Sequence, residues 1–334
     1  MASDHQAVGS NPIGPLEILA ESHSQEGENS INGIMLVLKY NSHRSLSLIK
    51  LKSSRSLLRY PGGKSRGAKQ IFEFIPADTK EICSPFFGGG SVELMCANNG
   101  MRVYGYDKFK PLVHFWNCLI KRPDELAQLV AGWWSTGRKG LSKGYEKKKE
   151  YRKLKAELLS PKQSQLERAA LFYVINRTSF SGSALSGGVT AGNPRFTESS
   201  IQRILEFKDV NNTKNITVKH LDFTKSIEKN KQKLMYLDPP YWLESKLYGE
   251  KGDLNFQEKD HLELFKILSK AKKWILSYND SEIVRETYRD YQIIPLKWAY
   301  GMKNYNGSAK NKKGKKKEKK IMPESSEVLI LNGI

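Results

Sequence analysis

KLMYLDPPYW, residues 233–242, sets four strand-forming residues against an acid, two prolines and two aromatics. Leu234, Met235, Tyr236 and Leu237 have the composition of a short buried strand. Neither Pro239 nor Pro240 carries an amide donor, so the strand cannot run through them. The stretch therefore ends in a stiff loop at the carboxyl edge of a strand, where open α/β sheets place their ligands. That loop offers a carboxylate at Asp238, a carbonyl that cannot swing away at Pro239, and a flat ring at Tyr241. A plain Pro-Pro turn with a solvated aspartate is the competing reading, and the loop alone does not choose between them.

Outward from this loop the pattern alternates strand and helix. Strand signals fall at 81–84, 103–106, 216–219, 233–237, 274–277 and 327–331, with helices predicted at 91–98 and 257–271. The fold expected is α/β, a Rossmann-like doubly wound sheet carrying an inserted, mainly helical region. Residues 57–107 and 214–334 would form the sheet domain and 108–213 the insertion. Within the insertion, residues 108–175 read as mostly helical and basic, whereas 176–200 hold Ser, Gly, Asn and Pro at a density that breaks regular structure. Residues 1–50, rich in Ser, Asn and Gly, are expected to be a disordered extension. Gly9-Ser10-Asn11-Pro12 is what the T-arm of a tRNA gene would encode if translated, so translation is expected to begin near Met35.

Composition narrows the class. Of 334 residues, 39% are hydrophobic, enough for a packed core, and 55 basic against 35 acidic residues leave +20, which points to a polyanionic partner. Cys83, Cys96 and Cys118 form no CxxC pair and have no histidine cluster nearby, so neither a disulfide frame nor a zinc site is indicated, and a reducing, cytoplasmic setting is expected. No apolar run reaches the roughly 20 residues of a membrane span, and no signal-peptide pattern opens the chain.

SPFFGGGSVEL, residues 84–94, is a glycine-rich turn between a strand and a helix, a place where backbone can pass close to a ligand. It matches neither GxGxxG nor the P-loop. One strand later, Tyr104-Gly105-Tyr106-Asp107 puts an acid where ribose hydroxyls are usually met, although a helix cap is an equal local reading. The order of the two favours an adenosine-containing cofactor.

LRYPGGK (58–64), SPFFGGGS (84–91), YGYD (104–107), NRTSFSG (176–182), HLDF (220–223) and DPPY (238–241) stand in one order that resembles the α-group adenine-N6 DNA methyltransferases, the Dam-like family. The resemblance runs from about Leu57 to Leu331. It implies S-adenosylmethionine as cofactor, with Tyr60, Lys64, Asp107 and Asp238 matching family contacts. Phe87, Gly88 and Gly90 of the glycine turn join them, as do Asp222 and Phe223, which match positions lining the adenine ring of the cofactor. Capping of the following helix is the other reading of Asp222. Two departures stand out: Ser84 replaces the usual family glutamate, and the DNA-reading hairpin is poorly matched after Gly182.

The resemblance gives the DPPY loop a chemical purpose. The adenine amino group is a poor nucleophile because its lone pair is delocalised into the ring. Asp238 and the Pro239 carbonyl supply two acceptors that draw it toward tetrahedral geometry, Pro240 keeps the turn rigid, and Tyr241 stacks on the flipped base. Neither a metal nor a covalent intermediate is needed. The same loop would serve cytosine N4, RNA adenine or a glutamine side chain, although aspartate in first place favours adenine. A DNA-binding relative that has lost activity is the alternative of another class, and the intact DPPY, Asp107 and Lys64 speak against it. His220 is given no catalytic role.

Double-stranded DNA is thus the expected partner, with no membrane; a cognate restriction endonuclease is left open, and the chain is expected to be a monomer or weak dimer. Lys147, Lys148 and Lys149, in a stretch of seven basic and two acidic residues at 143–155, are assigned to phosphates. Asn176, Arg177, Asn193 and Arg195 are assigned to base edges, because arginine suits guanine and asparagine suits adenine. A salt bridge is the competing role for Arg195. The run at 309–320, eight lysines and one glutamate, reads as a solvated loop able to hold phosphates.

Overall fold

A computed structural model describes residues 55–133, 144–182, 185, 188, 195–242, 256–296 and 327–334. The expected N-terminal extension with its start near Met35, Asn193 and the lysine run at 309–320 lie outside them.

Seven strands form one sheet among the described residues: β1 (Glu81–Ser84), β2 (Arg102–Asp107), β3 (Ile216–His220), β4 (Leu234–Leu237), β5 (Trp274–Asn279), β6 (Gln292–Leu296) and β7 (Glu327–Asn332). Their spatial order is β3-β2-β1-β4-β5-β7-β6. The first five are parallel, and β7 runs antiparallel to both its neighbours. Chain order therefore reverses between β1 and β4, and the crevice beyond their carboxyl ends is the topological switch point.

Period-two burial explains why these residues make a two-sided sheet. Ile82, Leu234, Tyr236, Ile275, Leu329 and Leu331 face one apolar core, whereas Cys83, Met235, Leu237, Trp274, Leu276, Val328 and Ile330 face the other. Strands buried on both faces read as continuous apolar runs, which is how LMYL and WIL come to look alike.

Helices α1 (Ala68–Phe72), α2 (Ser91–Asn98), α3 (Lys110–Lys121), α4 (Pro123–Gly132), α5 (Gly144–Leu159), α6 (Gln165–Thr178), α7 (Glu198–Leu205) and α8 (Phe207–Val210) precede β3. Phe115, Trp116, Phe172 and Phe207 of this helical region belong to the same core as Ile82 and Val103 of the sheet. The helical region is thus packed onto one sheet face, and Asn117 of α3 donates to the Val218 carbonyl of β3. On the other face lie α9 (Phe223–Asn230), α10 (Glu258–Leu268) and α11 (Glu282–Thr287). No helix among the described residues is long and apolar enough to cross a membrane.

Candidate active site

The glycine turn begins where β1 ends. Gly88 (φ 47°) and Gly90 (φ 68°) adopt left-handed backbone, which a side chain would strain. A Cβ on Gly88 would lie 3.1 Å from the Tyr60 ring, and one on Gly90 would lie 2.9 Å from Trp116. Tyr60 of the LRYPGGK segment therefore covers one side of the turn, and Trp116 secures the other by donating Nε1–H to the Gly88 carbonyl at 3.0 Å. Phe87 is buried with its ring edge-on to Trp116 at 5.1 Å, so its side chain supports the turn from beneath.

At the end of β2, Asp107 Oδ2 accepts from the Gly88 amide at 3.0 Å and Oδ1 from the Phe109 amide at 2.8 Å. This carboxylate therefore ties β2 to the turn and to the start of α3. These two bonds use part of its acceptor capacity of about four lone-pair sites. Burial pushes its pKa up to about 6, against the opposing pull of the Phe109 and Gly88 amides.

The centre of the crevice is an ion pair between residues 174 positions apart. Lys64 Nζ donates to Asp238 Oδ1 at 2.6 Å and to the Gly62 carbonyl at 2.8 Å, and Glu327 Oε2 of β7 stands 3.6 Å away. Burial alone would pull the Lys64 pKa down, but the charges of Asp238 and Glu327 more than reverse this, and the ammonium stays protonated. Lys64 also lies 4.8 Å from the centre of the Tyr241 ring, a cation–π contact within the DPPY loop. Pro239 is buried and Pro240 half-buried.

Behind the turn, Ser84 donates to Glu93 Oε1 of α2 at 2.7 Å. The carboxyl that the resemblance expects at position 84 is thus supplied from nine residues further on. Burial, opposed by the Ser84 hydrogen bond, pushes Glu93 up to about 8, which favours its protonated form near neutral pH.

A family model described as D12 class N6 adenine-specific DNA methyltransferase matches residues 60–302, most of the chain. The chain belongs to that family. It is also similar to the type II methyltransferase M.CviBI of Paramecium bursaria Chlorella virus NC1A, at 21% identity over 259 residues that cover 76% of this chain and 94% of that protein.

The methyltransferase's remaining candidate residues divide. Phe223, first residue of α9, is buried and stacks on Phe86 at 5.6 Å with an interplanar angle of 24°, and Phe256 leans on both rings. Asp222 accepts the Thr224 amide at 3.0 Å, so it is the N-cap of α9, and Lys108 stands 3.8 Å from its other oxygen.

Asn176 requires a correction. It is fully buried in the last turn of α6, where its amide donates to the carbonyls of Arg59 (2.6 Å) and Gly182 (3.0 Å) and its oxygen accepts from the Arg59 amide (3.1 Å). It fastens the LRYPGGK segment to the helical region and is not available to a DNA groove. Arg177 Nε donates to the Arg195 carbonyl at 2.9 Å, which anchors the chain just before α7. Arg195 itself is exposed and enters no ion pair among the described residues, so the competing salt bridge is not formed there. Lys149 is exposed on α5; the side chains of Lys147 and Lys148 lie outside the described set, as does Asn193.

Sequence reasoning missed Glu93, Trp116 and Glu327. Trp116 and Glu327 act on partners far along the chain and Glu93 on Ser84 across the glycine turn, and only Glu327 carried a local hint, as an acid opening an otherwise apolar strand.

Proposed function

We propose that this methyltransferase uses S-adenosylmethionine to methylate the N6 amino group of adenine within a specific double-stranded sequence. The observation that carries the reading is the convergence of Asp107, Lys64, Asp238 and Tyr241 on the carboxyl ends of β2, β1 and β4 around a left-handed glycine turn. The residues fit the cofactor: Asp107 retains acceptor capacity for ribose hydroxyls, the turn allows close backbone approach, and the Phe86–Phe223–Phe256 group offers aromatic faces. When bound, the cofactor supplies an electrophilic methyl on its sulfonium.

Asp238 accepts one amino hydrogen of the target base, and the Pro239 carbonyl accepts the other. Both are held by the proline turn, so they need not reorganise as charge develops on the nitrogen. Tyr241 gives the extruded base a ring to stack on. Positioning of nitrogen against methyl supplies much of the acceleration. The region of residues 108–213 serves target recognition, with phosphates on α5 and base edges near Arg177 and Arg195. The likeness to a type II methyltransferase supports action at a specific DNA sequence.

Incubation with unmethylated DNA and methyl-labelled S-adenosylmethionine, followed by digestion to nucleosides, tests this. Label is expected in N6-methyl-2′-deoxyadenosine from duplex DNA. Label confined to cytosine or RNA, or absent, would sink it.

A further inference from the structure

Lys64 stands between two carboxylates, and the proposed transfer uses only one of them. In the free protein the ammonium lies 2.6 Å from Asp238 Oδ1, the atom the target amino group would need, and 3.6 Å from Glu327 Oε2. Glu327 opens β7, opposite Asn279 of β5 and Leu296 of β6, and is as deeply buried as Lys64. Two further titratable groups face this cluster, Glu93 and Tyr236. Burial pushes the Glu93 pKa up to about 8, and the Tyr236 phenol is pushed up by burial and then by Asp238, Glu93 and Glu327.

A lysine leaving Asp238 in a buried site needs another anion at once, because an uncompensated buried charge is strongly unfavourable. Glu327 is placed to be that anion. We propose that Glu327 is a positioning residue for methyl transfer: it receives Lys64 when the adenine amino group occupies Asp238. The lysine thus moves between two carboxylates without losing its charge, and Asp238 is freed without being left unpaired. Without Glu327, Lys64 would stay on Asp238 and compete with the substrate for it. This inference rests on Asp238 being the acceptor of the amino hydrogen.

Glu327→Gln keeps the shape and removes the charge. For the full chain, kcat should fall roughly ten- to a hundredfold, the scale of a misplaced reacting group. S-adenosylmethionine affinity by calorimetry and the melting temperature should stay near wild type. The alkaline limb of the kcat profile should move to lower pH, because one of the two charges that raise the Lys64 pKa is gone. Glu327→Asp should restore part of kcat and of the pH limb, and it carries the test if the glutamine variant does not fold. Wild-type kcat with an unmoved alkaline limb in Glu327→Gln overturns the proposal, and so does a kcat loss matched by lost cofactor affinity. Asp238→Ala run in parallel separates the layers. If it remains active, the reading of the site itself fails; if it is inactive while Glu327→Gln is fully active, only the role of Glu327 fails.

Discussion

The crevice beyond β1 and β4 and the surface around Arg59, Arg177 and Arg195 handle charge in opposite ways. In the crevice every buried ionic group has a partner: Lys64 has Asp238 and Glu327, and Asp107 has two amides. On the surface cations crowd one another. Burial lowers the Arg59 pKa to about 10 with help from Arg195 and Arg177, and burial together with Arg203 and Arg195 lowers that of Arg177. A site whose charges are satisfied before the substrate arrives is set up for chemistry, where reorganisation costs rate. A surface whose cations repel one another is eased by the approach of a polyanion, which we propose to be the target duplex. The contrast implies that variants in the crevice alter turnover or cofactor affinity, whereas variants on the surface alter which DNA is held and how tightly.

The largest break is Asp238→Ala. Removing one of two acceptors should lower kcat roughly a hundred- to a thousandfold, while DNA affinity measured by fluorescence anisotropy stays close to wild type. If DNA affinity collapsed with turnover, the division between the regions would be wrong.

Asp107→Ala is expected to be smaller and to act on binding. Loss of charge-assisted hydrogen bonds to ribose should weaken S-adenosylmethionine by about 1.5–3 kcal/mol, or roughly 10- to 150-fold. The wild type carries a pH signature of the same contact. Hydroxyl donors favour the carboxylate form of Asp107, whose pKa burial raises to about 6, so cofactor affinity should fall as pH drops through that value. Calorimetry at several pH values checks both, and an alanine variant with the same pH dependence as wild type would remove Asp107 from the cofactor site.

Legibility in the sequence follows the same divide. Asp107, Lys64 and Asp238 could be found because each stands at a strand end or in a tight turn, where residue type and position are set by local geometry. Strand β6 was not foreseen because Pro295 argues against a central strand; the proline is tolerated because β6 is the last strand in the sheet order. Asn176 was misread because NRTS looks like a polar loop, yet it closes α6 with the asparagine turned inward. Trp116 and Glu327 have roles created by contacts across the fold, and Glu93 meets Ser84 only because the glycine turn folds α2 back over the end of β1.

Asn176 and Arg195 sharpen the comparison at closer range, since both were assigned to base edges. Asn176→Ala removes three hydrogen bonds to the Arg59 and Gly182 backbone, at about 0.5–1.5 kcal/mol for each bond. It should lower the urea midpoint and leave the methylated sequence unchanged. Arg195→Ala should leave the midpoint alone and relax selectivity at one base pair by about 1–3 kcal/mol, visible when methylated sites are mapped by long-read sequencing. Unchanged selectivity in the arginine variant would place base reading elsewhere.

The smallest expected effect comes from Lys149→Gln. Lys149 is exposed on α5 amid other long cations, a setting suited to phosphates, which look alike in every sequence. A lysine that neutralises one phosphate releases about one condensed counterion, so its loss should flatten the plot of log affinity against log salt by about 0.9. The effect should be equal for cognate and unrelated duplexes, because no base edge is involved. A flatter slope for all DNA with an unaltered target sequence supports phosphate anchoring on α5. A slope that matches wild type, or a changed target sequence, would mean that α5 stands clear of the backbone or reads bases itself, and the surface would then have to be divided differently.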